Sequence, residues 1–175
     1  MDETSYFKIY ELKSDKELKE EDVLRECGMR EEQYAALLNS RFSRILCPFG
    51  VVVAGTELYP TANLHYAAEV VASLLDPENE GVAKDPDVRR EMSAAGHLMF
   101  LIGGGASYYD EEACYFLSEG WRCFPLYSWK YGDNADKIKK SIEDQIFQVY
   151  SLATDAVWGK NYQRTRPDTI GKYSG

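Results

Sequence analysis

The sequence predicts a mainly α fold: a single compact domain of five to six helices with at most one or two short strands. Several stretches repeat apolar residues at helical spacing. Most of those stretches begin or end on a recognisable cap. Only one run, "VVVA" at Val51–Ala54, is both β-branched and set off by nearby Gly and Pro. At 175 residues the chain is long enough to bury a core in one domain. The domain is taken as residues 1–160, with 161–175 as a polar C-terminal tail.

Taken in order, residues 14–26 begin with a capping signature. Ser14 or Asp15 caps, Glu17 stands three residues after Ser14, and Gly28 stops the helix. "REEQYAALLNS" reads as a second helix with Tyr34, Leu37 and Leu38 on one face. "RILCPFGVVVAGTELYP" then changes character, and Val51–Ala54 is its strand. Pro60 and Thr61 open a helix in which Leu64, Ala67, Ala68, Val71, Leu74 and Leu75 keep a helical period. Asp85 caps the next helix and Pro86 takes its first position, where a missing N–H costs nothing. That helix is expected to run through "AAGHLMFLI" to the glycines at 103–105. "EEACYFLSEG" is helical and "WRCFPLYSWKYGD" is an aromatic loop. The longest pattern starts at Asn134, carries Ile138, Ile142, Ile146, Val149, Leu152, Ala153 and Val157 on one stripe, and closes at Gly159.

A net charge of −9 argues against nucleic acid as a partner, because phosphate backbones demand clustered Lys and Arg. No apolar run is long enough to span a bilayer; the longest are Val51–Ala54 and Leu98–Ile102. The start, Met1–Asp2–Glu3–Thr4, lacks the basic and apolar segments of a signal peptide, which leaves a secreted mature form and a cytoplasmic protein both open. Of four cysteines, Cys27, Cys47, Cys114 and Cys123, no two are spaced as a CxxC zinc knuckle. Two disulfides in any of three pairings are open, a Cys114–Cys123 bridge among them; the simplest expectation is four reduced, mostly buried thiols. The aromatic residues Trp121, Phe124, Tyr127, Trp129 and Tyr131 mark 121–131 as a surface for a protein or small-molecule ligand, or as rings packed under their own loop.

The acidic stretch "LLDPENEGVAKDP" carries most of the functional signal. Calcium loops of twelve residues offer oxygens at positions 1, 3, 5, 7, 9 and 12, with glycine at 6. On that template Asp76, Glu78 and Glu80 are 1, 3 and 5, Gly81 is 6, Val82 offers its carbonyl at 7, and Asp87 is 12. Glu is one carbon longer than the usual ligand at positions 3 and 5. Lys84 stands at 9, and 12 lacks a long bidentate Glu. The alternative is an acidic turn that caps the following helix and binds nothing tightly.

Three stretches together resemble a largely uncharacterised, often secreted family with metallopeptidase-like traits. They are Phe49–Val88, Glu111–Pro125 and "SIEDQIFQVYSLATDAVWG", covering roughly residues 45–160. They are similar to that family's "HAA" helix, "LDNDeDGxxDdP" loop, "EExxH" helix and last aromatic helix. The resemblance puts His65 at the "HAA" histidine and Glu111 and Glu112 at the paired glutamates. Tyr115 stands where the family has its second histidine, so a neutral nitrogen ligand is lost.

The residues themselves offer a thin catalytic case. His65 and His97 are the only histidines, and no HExxH pattern exists. His65 and Glu69 share a helix face as a metal pair or a hydrogen-bonded pair. A catalytic metal, Zn²⁺ or iron, would take His65, Glu111 and Glu112, with Tyr115 or Glu69 as ligand or proton donor and a bound water as nucleophile. The plainer alternative makes His65 a half-buried helix residue and His97, in an apolar run, a satisfied core histidine. The expectation is therefore a metal-binding module with a calcium-type loop, non-catalytic or degenerate. The alternative is a peptidase-like, metal-dependent hydrolase.

Overall fold

The computed structural model describes residues 7–12, 20–40, 42–57, 59–102, 121–126 and 134–159. A five-stranded sheet runs through the middle in the order β1 (Tyr10–Glu11), β2 (Phe42–Leu46), β3 (Val52–Thr56), β4 (Leu98–Ile102) and β5 (Arg122–Leu126). β2 runs antiparallel to both of its neighbours, β1 and β3, whereas β3, β4 and β5 run parallel. Parallel neighbours need long crossovers. The β3–β4 crossover holds two helices, α3 (Thr61–Leu75) and α4 (Pro86–Met92).

Period-two alternation sends successive side chains to opposite faces, and both faces are covered. Leu46, Val51 and Val53 pack against α3, α4 and the long α5 (Ala135–Trp158) in one core. Ile45, Val52 and Ala54 pack against α1 (Glu20–Cys27) and α2 (Glu31–Leu38) in the other. A disulfide, Cys27–Cys47, ties the end of α1 to the residue after β2, with both cysteines buried. Reduced thiols at these two positions were the wrong expectation. Residue 114 lies outside the described residues, and so does any pairing it makes.

Helices hold most of the regular structure, in keeping with a mainly α reading, but one or two strands was too few. The predicted helix from Pro86 into "AAGHLMFLI" ends at Met92. A 3₁₀ turn, Ala94–Gly96, follows, His97 takes a left-handed conformation (φ 68), and the chain becomes β4. "RCFPL", read as loop, is β5. A short apolar run has no periodicity to separate strand from helix, and the pairing that decides is non-local. The caps fared better. Asp85 accepts from the N–H groups of Asp87 and Val88, with Pro86 at the first helical position. Asn134 accepts from the Lys137 N–H and opens α5.

Candidate functional site

Two places gather the residues singled out above. The first is the turn between α3 and α4. Asp76 is only 2% exposed. Its carboxylate accepts from the N–H of Glu80 (2.9 Å) and of Gly81 (2.7 Å), so the turn folds around it. The Lys84 N–H closes the loop on the Leu75 carbonyl at 2.8 Å. Gly81 sits at φ 82 with open space where a Cβ would stand, so backbone conformation, not crowding, is what calls for glycine. Helix, ten-residue turn (76–85) and helix thus follow in the predicted order, with Asp87 already inside α4. The remaining acids point elsewhere. Glu78 forms a 3.8 Å ion pair with Lys84 on the surface. Glu80, Val82 and Asp87 are exposed. The Asp85 carboxylate, besides capping α4, accepts from the indole N–H of Trp158 at the end of α5. Among the described residues, no group of three or more His, Cys, Asp or Glu side chains converges as metal ligands.

The second place lies where α3 and α5 both begin, past the carboxyl ends of β3 and β5. This is the end at which open α/β sheets put their ligand sites. The Arg44 guanidinium fixes the start of α3. It donates to the Thr61 hydroxyl (2.6 Å) and to the carbonyls of Thr56 (2.7 Å) and Tyr59. Leu64 packs so closely on β3 that a Cβ on Gly55 would stand 2.7 Å from Leu64 Cδ2. With α3 pinned there, His65, Tyr66 and Glu69 are half-buried on its other side. The Tyr66 hydroxyl donates to Glu143 Oε1, and Lys139 Nζ lies 5.2 Å above the Tyr66 ring. Burial raises the pKa of Glu69, and the neighbouring Lys139 ammonium opposes that rise.

The structure therefore brings His65 and Glu69 onto one helix face, as their spacing implies. Lys139 of α5 lies near Glu69, and Glu143 of α5 meets Tyr66, neighbours that no local motif announces because α5 lies far along the chain. Glu111, Glu112 and Tyr115 lie outside the described residues. His97 is not the core histidine expected: it is partly exposed, and its ring meets the Arg30 guanidinium at 3.1 Å. Trp121 is a core residue whose indole N–H donates to the Gln33 carbonyl, and Phe124 is half-buried; Tyr127, Trp129 and Tyr131 lie outside the described residues. No helix is long and apolar enough to cross a membrane among the described residues. No protein-family model, no curated protein and no solved structure matches this chain.

Proposed function

We propose that this chain is a non-catalytic binding module whose 76–87 turn takes a hard cation, Ca²⁺, weakly. The observation that carries the reading is the turn itself: Asp76 at its first position holds the N–H groups of its fifth and sixth, and Gly81 makes the left-handed bend. A bound ion would draw in Glu78, Glu80, the Val82 carbonyl and Asp87 from the surface and displace Lys84 from Glu78. That rearrangement, with a cation already at the ninth position, sets the affinity in the weakest range of such loops, with Kd about 10⁻⁴–10⁻³ M. Calcium at that level is met outside cells, and a buried Cys27–Cys47 disulfide suits the same oxidising setting. The test is elemental analysis of protein dialysed against millimolar calcium. Calcium near one per chain, reduced in Glu78→Gln/Glu80→Gln, supports the reading; none retained under these conditions counts against it.

A second reading, a metal-dependent hydrolase using His65, Glu111 and Glu112 with Tyr115, is favoured by one observation. A half-buried carboxyl with a raised pKa, Glu69, lies one helical turn from His65. Zinc or iron near one per chain, lost in His65→Ala, would establish it over the first.

A further inference from the structure

The turn that leads into α4 is tied to the far end of α5. Asp85 Oδ1 accepts from the N–H groups of Asp87 and Val88, and Oδ2 accepts from the indole N–H of Trp158, the last residue of α5. The chain is anchored on both sides of this contact. Asp76, buried, holds the N–H groups of Glu80 and Gly81. Val88 and Met92 are buried, and Arg89 Nε donates to the Phe49 carbonyl at 3.1 Å, so α4 beyond its first turn is fixed to the core. α5 is fixed as well: Ile142, Ile146, Val149, Ala153 and Thr154 are all buried. Between the two anchors, residues 78–87 are exposed or half-buried. The Trp158 bond therefore joins a segment with room to adjust to a helix without it. A bound ion draws the Val82 carbonyl and the Asp87 carboxylate inward. Asp85 lies between them in the chain and moves with them, whereas Trp158 stays with α5.

Given the reading of residues 76–87 as a cation loop, on which this rests, we propose that the Trp158–Asp85 hydrogen bond regulates that loop. Ion binding breaks the bond, and while the bond is formed it lowers the affinity of the loop. Linkage makes the effect reciprocal: a contact that ion binding must break opposes ion binding by the same factor. Two contacts then hold the turn in its present form, the Glu78–Lys84 ion pair within it and the Trp158 bond from outside. The ion pair lies on the surface, where solvent screens it. The Trp158 bond comes from a helix packed in the core. It carries the state of the turn to the end of α5, where the chain continues into residues 160–175.

The probe is calcium chloride added to the full chain, followed in parallel by calorimetry and by the indole N–H resonances in NMR. Trp158→Phe assigns the Trp158 resonance; Trp158 is 55% exposed at a helix end, so the change spares the core. The Trp158 resonance moves upfield saturably, with the same midpoint as the calorimetric heat. Trp121, whose indole N–H donates to the Gln33 carbonyl, stays in place. Trp158→Phe binds calcium about threefold to tenfold more tightly, the range that one hydrogen bond of this kind contributes. Saturable heat with an unmoved Trp158 resonance, or with Trp158→Phe no tighter than the parent, overturns the regulation and leaves the cation loop standing. No saturable heat in either protein removes the loop and its regulation together.

Discussion

Reducing the Cys27–Cys47 disulfide should cost the fold about 3 kcal/mol. The bond closes a chain segment with a sequence separation of 20, and loop-closure entropy in the unfolded ensemble for such a loop amounts to about 3 kcal/mol at room temperature. Both cysteines lie in the core shared by α1, α2 and β2, at 0% and 4% exposure, so reduction leaves two thiols in an apolar setting that accepts them. The loss is therefore mainly that of the cross-link. The assay is urea unfolding followed by tryptophan fluorescence, with and without a phosphine reductant. With a denaturant slope of about 2 kcal/mol/M for a chain this size, the midpoint falls by roughly 1.5 M. Cys27→Ala/Cys47→Ala starts from a lower midpoint, and reductant then shifts it little. An unshifted midpoint in the reduced parent, or an equal reductant effect in the double variant, refutes the reasoning.

Gln33 is fully buried, accepts the Arg30 N–H at 2.8 Å and donates to the Ala94 carbonyl at 3.0 Å; Gln33→Leu strands both partners. It should cost roughly 2–4 kcal/mol and lower Tm by about 6–10 °C in calorimetry. Gly55→Ala forces a methyl against the buried Leu64 and should cost about 1–3 kcal/mol, part of which Leu64→Val restores in a double-mutant cycle. Burial raises the folded-state pKa of Glu69, so the folded protein binds this proton more tightly than the unfolded chain does. Its contribution is then greatest at acid pH and is lost as pH rises from the unfolded value through the raised one. Glu69→Gln should remove that loss, gaining stability over the parent at pH 7 relative to pH 4. A parent-minus-variant difference that is flat with pH contradicts it.

How far the fold could be read depended on whether the signal was local. Asp85–Pro86, Asn134 and the stripe Ile138–Ile142–Ile146–Val149 state their helices within a few residues, and each is where its spacing puts it. Leu98–Ile102 fails for the opposite reason. Its strand character comes from lying between β3 and β5, and no residue within it records that. "RCFPL" fails likewise, since its ladder partner is the similarly ambiguous β4. The same limit applied to the sites. The Asp76–Gly81 turn is a short-range feature, and it was legible. The polar strip of Tyr66, Lys139 and Glu143, and the meeting of Arg30 with His97, join residues 67–77 positions apart and leave no trace in local spacing.

Calorimetric titration with calcium chloride tests most directly the proposal that residues 76–87 form a hard-cation loop kept weak by its own substitutions. The parent should give a saturable heat with Kd about 10⁻⁴–10⁻³ M. Lys84→Asp, which exchanges the cation at the ninth position for a ligand, should bind more tightly, and Glu78→Gln/Glu80→Gln should bind less. Absence of saturable heat in both the parent and Lys84→Asp would contradict the account and leave the turn as a cap for α4.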